Sequence, residues 1–582
     1  MRRYLARAFA GIAAMALAGT AQAACRVEQH GELPVTMNGL SPLVSAKING
    51  VDASFIVDSG AFFSLISPGV AGAAGLKLIK APPGFWIVGI GGPMDASYAT
   101  VKDLSVARMT AHNIQFFVAG TDTGTAGLLG QNVLGVGDVE YDLPHGMVRL
   151  MRSIGCEHNN LAYWVGPNDS YSLLKIEPRN EDRPHTIGTI IINGKPVRAT
   201  FDTGAPTTLL SLRAAARAGI KPDSPGVKPS GVAGGLGRGV IRTWVAPIDS
   251  IQIGDEVIHH PHIDIADMGA DDTDMLIGAD FFISHRVYVD NAAHRMFFTY
   301  TGGEVFGGKA HGDATAPVAV ASAQASDPVD AEGFSRRGAV FAAEHDVPRA
   351  IADYGRAIAL APKEPRYLVQ RAEAYLRDHK KELALADLDK AIGLDPANLE
   401  ARLQRAALHV EAKKMEAAVA DLDAAAHSAP PTLDEHLEIG GLYEAAHAYA
   451  PAVAQLDLWI AAHGEDARFA EALNARCWSR ALAGSELKKA LDDCNAALRF
   501  NPHNPAFLDS RGLVRVRMGD WDKAIGDYDE VLKHAPKTAW SLYGRGVAKH
   551  HKGLAADGDS DIKAATAIDA DVLEQAKKDG ID

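Results

Sequence analysis

Two short stretches place an aspartate where acid–base chemistry could use it. The first reads Phe55-Ile56-Val57-Asp58-Ser59-Gly60-Ala61, the second Thr200-Phe201-Asp202-Thr203-Gly204-Ala205. In each, an apolar run ends on a carboxylate, and a hydroxyl residue and a glycine follow at once. One such tripeptide alone is an ordinary Asx turn. Two in equivalent settings form a pair of carboxylates that two-fold packing would bring face to face. Like charges at hydrogen-bonding distance do not both ionise, so such a pair holds a shared proton that belongs to neither residue alone. An ionised carboxylate can then take a proton from water while its protonated neighbour gives one to a carbonyl oxygen, the transfers that amide hydrolysis needs. Gly60 and Gly204 would let backbone N–H groups approach the carboxylates. The Ser59 and Thr203 hydroxyls can bond across to the opposite turn and lock the two together.

The equivalence extends well beyond the two aspartates, which lie 144 residues apart. At that spacing Ile48-Asn49-Gly50 recurs as Ile192-Asn193-Gly194, and Leu65-Ile66-Ser67 as Leu209-Leu210-Ser211. With small gaps, Val88–Gly92 matches Gly231–Gly235, Gly127–Gly130 matches Met275–Gly278, and the stretch from Val139 matches that from Val287. A tandem duplication follows, with two lobes on one plan. Both read as all-β: short apolar runs rich in Val, Ile, Thr and Phe, punctuated by Gly, Pro, Asn and Asp. Asn-Gly is a strong hairpin signal. It predicts that Ala46–Ile48 turns into Ala53–Val57 and Ile190–Ile192 into Ala199–Phe201, each second strand delivering its aspartate to a tight turn.

These motifs resemble those of the pepsin/retropepsin-type aspartic proteases, in their exported bacterial form. The shared signature is apolar-apolar-Asp-[Ser/Thr]-Gly-Ala, followed by apolar-apolar-Gly, here Leu128-Leu129-Gly130 and Leu276-Ile277-Gly278. In the family the second motif supports the aspartate loop from beneath. The resemblance covers residues 30 to 302. Retropepsins obtain two lobes by dimerising, whereas this chain carries both. The resemblance implies a bilobal all-β fold, Asp58 and Asp202 as the catalytic pair, and Ser59, Gly60, Thr203 and Gly204 as their supporting loops. It also implies a peptide or protein substrate, with no cofactor and no metal. Gly89, Gly91 and Gly92, with Gly234 and Gly235, stand where the family carries flaps that close over substrate. The family's flap tyrosine has no counterpart, and Trp86 stands nearby as a residue for either the cleft or the core. Phe62-Phe63 departs from the small polar residue usual after the motif and reads as a packing choice that narrows specificity.

A His- and Asp-rich run, His259 to Asp274, has the composition of a metal site. Its first part aligns with the strand expected at His112–Val118, where alternation splits the histidines between two faces, and the acidic remainder reads as a solvated loop.

The ends and the charge bound the setting. Arg2, Arg3 and Arg7, an apolar run to Gly19 and the small-x-small site Ala21-Gln22-Ala23 read as a signal peptide over residues 1–23. The formal charge is −14, and no Lys/Arg-rich block offsets it, which excludes a nucleic-acid binder. No other apolar stretch is long enough to span a bilayer, so the mature chain has no predicted membrane span. Four cysteines, Cys25, Cys156, Cys477 and Cys494, are an even set in an oxidising compartment and predict disulfides, most naturally in a periplasm. No C-x-x-C occurs.

The expected order of domains is an N-terminal lobe over 30–156, a C-terminal lobe over 170–302, a flexible linker over 303–330 and a helical array over 331–577. In the array the apolar period becomes 3.6. Pro362, Pro396, Pro430, Pro502 and Pro536 mark a 34-residue register. Gly338, Ala350, Tyr354 and Ala357, like Gly512, Ala524 and Tyr528, put small residues where two helices must approach. This resembles tetratricopeptide (TPR) repeats, about six or seven of them, with a degenerate unit around Gly440, Ala452 and Leu456. Cys477 and Cys494 fall on the two helices of one unit and predict a disulfide. Such arrays hold a protein partner or peptide in a concave groove. The leading reading is an exported aspartic endopeptidase with a recognition array. Its rivals are a catalytically inactive protease-like binding or scaffold protein, and a pure scaffold with unrelated β-lobes.

Overall fold

The computed structural model of the protein describes residues 25–82, 85–90, 92–119, 125–166, 169–179, 184–235, 240–268, 273–302, 305–306, 309–310, 328–343, 346–464, 466 and 468–581. The expected signal peptide, flap residue Gly91 and most of the expected linker lie outside the described residues.

The N-terminal half is two β-lobes, and the C-terminal half is an α-helical superhelix. Both Asn-Gly turns form as hairpins. Asn49 and Gly50, and Asn193 and Gly194, all have positive φ, the backbone that a tight two-residue turn requires. They join Ser41–Ile48 to Val51–Val57 and Ile187–Ile192 to Lys195–Phe201. The strand that ends at each aspartate is then flanked by a parallel strand from the apolar-apolar-Gly motif. Gly127–Leu129 pairs with Val51–Val57, and Met275–Ile277 with Lys195–Phe201, in equivalent register. Leu65–Ile66 and Leu209–Ser211 close the far side of these strands.

The lobes are joined by strands and not only by a tether. Hairpin Asp138–Asp142/Met147–Ile154 of the first lobe and hairpin His285–Asp290/Arg295–Tyr300 of the second meet antiparallel, with Tyr141 opposite Val287 and Val139 opposite Val289. The N-terminal strand Arg26–Asn38 runs along this shared sheet and then turns into the first lobe. A disulfide between Cys25 and Cys156 fastens the end of that ladder. Among the described residues the β-half also holds four short α-helices, of which Pro68–Ala73 and Leu212–Arg217 occupy equivalent places, each capped by a serine side chain, Ser67 or Ser211. One expected strand is broken. Pro261 and the positive φ of His260 divide the His-rich segment into Glu256–His259 and His262–Ala266, whereas Met109–Val118 in the first lobe is continuous.

The C-terminal half has fifteen α-helices among the described residues, from Ala331–Ala343 to Val572–Lys578. They form seven antiparallel hairpins and a closing helix. The close approach within a hairpin depends on glycine. A Cβ on Gly338 would lie 2.9 Å from the Tyr354 ring, and one on Gly512 would lie 2.8 Å from that of Tyr528. At the same place two hairpins carry Ala372 and Ala406, and another carries Cys477, which forms a disulfide with Cys494 on the facing helix. Six hairpins carry a second clamp. Arg337–Asp353, Arg371–Asp387, Arg405–Asp421, Arg476–Asp493, Arg511–Asp527 and Arg545–Asp561 are two-pronged ion pairs on buried aspartates. The degenerate unit has Ile439 where the arginine would stand, and Gln455 there bonds His436 instead.

Among the described residues the array touches the first lobe at its first helix and again further along. Ala339 of its first helix joins the lobe's core, and Arg336 lies over Gly146, where a Cβ would come within 2.6 Å of its guanidinium. Further along, Thr432 packs against Gly69 at the start of helix Pro68–Ala73.

Candidate active site

Asp58 and Asp202 end equivalent strands and meet across the join between the lobes. Their carboxyl groups are within hydrogen-bonding reach of each other. The approach is tight enough that each faces the opposite glycine. A Cβ on Gly60 would lie 2.1 Å from Asp202 Cγ, and one on Gly204 would lie 2.2 Å from Asp58 Cγ. Only glycine fits at either place.

The hydroxyl residues bind the two turns together. The Ser59 N–H donates to Thr203 Oγ1 (3.0 Å) and the Thr203 N–H to Ser59 Oγ (2.9 Å). Each hydroxyl then donates across the join, Ser59 Oγ to Phe201 O (2.9 Å) and Thr203 Oγ1 to Val57 O (2.6 Å). All four bonds are buried. Beneath the turns, the Asp58 N–H donates to Leu129 O (3.0 Å) and the Asp202 N–H to Ile277 O (2.8 Å), so each apolar-apolar-Gly strand holds its aspartate from below.

Each carboxylate accepts two backbone N–H groups of its own turn on Oδ1. For Asp58 these come from Gly60 (2.9 Å) and Ala61 (2.7 Å), and for Asp202 from Gly204 (2.8 Å) and Ala205 (3.3 Å). Burial, and after it the charge of Asp202, push the Asp58 carboxyl well above the ordinary carboxylate range, against the pull of its two N–H donors. The pair therefore keeps a proton to higher pH than an isolated aspartate would, and the arrangement has one acid and one base at the same place.

The glycine-rich segments form hairpins in both lobes. Trp86–Gly89 pairs with Gly92–Asp95, and Gly89 stands opposite Gly92. In the second lobe Lys228–Ala233 pairs with Ile241–Pro247, and Gly234 and Gly235 follow its first strand. The two hairpins approach each other, with a Cβ on Gly235 only 3.4 Å from Ile90 Cβ. Trp86 is 60% exposed and is not a core residue, and Val88 and Val232 are each 64% exposed. Ile87, on the other face of the first hairpin, packs with Ala61 over the buried Ile56, Leu65 and Met94. Phe62 and Phe63 are not core residues either. They belong to an aromatic row in which Phe85 stacks on Phe117, Phe117 meets Phe63, Phe63 meets Phe62, and Phe62 meets the His185 ring.

Both lobes match the family model described as aspartyl protease, over residues 44–133 and 188–281. No curated protein matches the chain. Among solved structures, a tetratricopeptide repeat protein from Parabacteroides merdae overlaps the chain at 18% identity, covering 43% of this chain and 99% of that one, with a TM-score of 0.34. YrrB, a TPR protein with an unusual peptide-binding site, overlaps at 18% identity, 39% and 97% coverage and a TM-score of 0.23.

Several residues around the Asp58–Asp202 pair lie outside the duplicated motifs. Tyr141, on the shared sheet, is buried with its hydroxyl at that of Ser59 and near both carboxylates. Gln131 follows Gly130 and bonds the Ser59 carbonyl. Arg179 and His185 stand between strands Ser172–Lys175 and Ile187–Ile192 at the entry to the second lobe. Ser64 and Thr208 occupy equivalent places, their hydroxyls accepting from Gly130 N–H and Gly278 N–H. Each is held in turn, Ser64 by Asn132 and Thr208 by Asp280. Gln131 and Asn132 differ from their counterparts Ala279 and Asp280, so the duplication does not mark them. Arg179 and His185 fall where the duplication carries no motif and gave no signal.

Proposed function

We propose that the protein is an exported aspartic endopeptidase whose single site is made by Asp58 and Asp202. The observation that carries this reading is the face-to-face carboxyl pair, locked by reciprocal Ser59 and Thr203 bonds across the lobes. In this reading a water between the carboxyls loses a proton to the ionised one and attacks the scissile carbonyl carbon. The protonated carboxyl gives its proton to the carbonyl oxygen, and the pair then protonates the leaving amine. No cofactor enters these steps. The Ser59 and Thr203 bonds hold the two carboxyls at a fixed separation, so little reorganisation accompanies proton transfer.

The exposed apolar side chains of Trp86, Val88 and Val232 on the two hairpins support their role as flaps that close over an extended peptide, with Gly89, Gly92, Gly234 and Gly235 as the positions that let them move. The aromatic row from Phe85 to Phe62 favours apolar substrate side chains on the first-lobe side. Two disulfides support an oxidising compartment, and with the sequence's leader they favour the periplasm. No helix of the described residues is long and apolar enough to cross a membrane. The array supplies the groove for a substrate or protein partner.

The test is cleavage of a denatured protein or a diverse peptide pool between pH 3 and 8. Wild-type protein should cut, and Asp58→Asn and Asp202→Asn, each with its fold confirmed, should each lose nearly all activity. Silence of the wild type at every pH, with and without residues 331–582, would move the reading to a protease-like binding protein.

A further inference from the structure

The two aspartate turns are nearly symmetric, but the side chains behind them are not. Asp58 Oδ1 accepts from the N–H groups of Gly60 and Ala61. Each N–H belongs to a peptide group whose carbonyl lies one residue earlier, on Ser59 and Gly60, and both carbonyls are bonded from behind. Gln131 Nε2 donates to Ser59 O (2.6 Å), and Arg179 Nη2 donates to Gln131 Oε1 (2.9 Å). The His185 ring reaches Gly60 O. Two relays therefore converge on one carboxylate oxygen. One runs from the Arg179 guanidinium through the Gln131 amide and the Ser59–Gly60 peptide. The other runs from His185 through the Gly60–Ala61 peptide.

The second lobe has no such construction at the matching positions. Gln131 N–H donates to Ala61 O as Ala279 N–H donates to Ala205 O, so Ala279 is the counterpart of Gln131, and it carries no amide. Leu43 opposite Ile56 matches Ile187 opposite Thr200, which places Ser41 at the counterpart of His185. The outer donor of the second turn is also longer, 3.3 Å from Ala205 against 2.7 Å from Ala61.

A donor at the carbonyl end of a peptide polarises its N–H and strengthens the bond that N–H makes, more so when the chain starts at a cation. We propose that Arg179, through Gln131, together with His185, are positioning residues that make Asp58 Oδ1 a stabilised seat for negative charge. The inference rests on the dyad reading above. The charged and titratable groups around that seat are Asp202, Tyr141, Arg179 and His185. Both relays favour the anion, so their removal makes the first proton harder to lose and moves the acid limb of the rate profile upward. Burial holds His185 below its ordinary pKa, against the opposing pull of the Asp202 charge.

The experiment measures kcat and KM from pH 3 to 8 for the full-length protein, Arg179→Met, Arg179→Lys, Gln131→Leu and the Arg179→Met/Gln131→Leu double variant. In parallel, the carboxyl titration is followed by 13C NMR of Asp-labelled protein, with Asp58→Asn identifying the signal. Arg179→Met and Gln131→Leu should each raise the acid limb by about 0.5–1 pH unit and lower kcat several-fold with KM unchanged. The double variant should add nothing to either, and Arg179→Lys should recover part of the shift. An unmoved acid limb, additive single effects, or a loss confined to KM would overturn the proposal. If the wild type cuts no peptide, the dyad reading fails as an activity, and the carboxyl titration decides the relay by itself. An upward shift of the Asp58 signal in Gln131→Leu supports it, and an unmoved signal overturns it.

Discussion

Replacing Thr203 with valine is the sharpest perturbation of the contact between the lobes. Valine keeps the shape of threonine and removes one oxygen, which in the structure accepts from the Ser59 N–H and donates to Val57 O. Thr203 and Ser59 are 0% and 1% exposed, so water does not replace the lost partner. An orphaned buried N–H costs about 1–3 kcal/mol, and the second lost bond adds about 0.5–1.5 kcal/mol. Together they lower the free energy of local opening by about 1.5–4.5 kcal/mol, which at 1.36 kcal/mol per tenfold is roughly a 10- to 2,000-fold faster amide exchange. Hydrogen exchange resolved by mass spectrometry on peptides spanning 55–67 and 200–211 reads this directly. Helix Pro505–Met518 of the array serves as the internal reference and should exchange as in the wild type. Thr203→Ser should restore protection. Acceleration below about threefold in both peptides would refute the argument that these bonds couple the lobes.

Gly60→Ala should abolish cleavage while leaving the circular dichroism spectrum unchanged, because its Cβ would lie 2.1 Å from Asp202 Cγ and force the carboxyls apart; retained activity would contradict the close approach. Asp280 is pushed up to about 6 by burial, against a reference of 3.8. Its folded pKa lies above the unfolded one, so its contribution is present below about pH 4 and is lost as pH rises through 6. Asp280→Asn, which copies Asn132 of the first lobe, should flatten the fall in unfolding free energy between pH 4 and 7 seen in the wild type, measured by urea titration at each pH. Arg371→Leu leaves Asp387 buried without its two-pronged partner and should cost the array about 2–4 kcal/mol, with much of the loss recovered in Arg371→Leu/Asp387→Leu. An equal loss in the single and double variants would mean that the pair is not the cause.

What could be read before the structure was whatever the duplication repeats. The aspartate turns, the apolar-apolar-Gly strands and the Asn-Gly hairpins occur twice, so each copy confirms the other. The glycine–tyrosine approach in the array was readable for the same reason, since Gly338 with Tyr354 recurs as Gly512 with Tyr528. The arginine–aspartate clamp beside it was equally periodic, with Arg337 before Gly338 and Asp353 before Tyr354. Its charges fall outside the small and aromatic positions that carry the repeat's resemblance. The residues behind Asp58 were out of reach for the opposite reason. Gln131, Tyr141, Arg179 and His185 belong to one lobe or to neither, and only folding brings them to Ser59 and Gly60. The break at Pro261 shows the limit of alignment by period, since one proline and a left-handed His260 divide a strand that its counterpart keeps whole.

The central claim is that one chain carries one complete dyad, and mixing two inactive chains tests it most directly. Asp58→Asn and Asp202→Asn proteins are purified separately, combined in equal amounts, unfolded and refolded together, and assayed beside the wild type on the same peptide pool. If both carboxyls act within one chain, the wild type cuts and neither variant nor their mixture does. Activity that appears only in the mixture would place the site between chains, and activity retained by either variant alone would remove one aspartate from the chemistry.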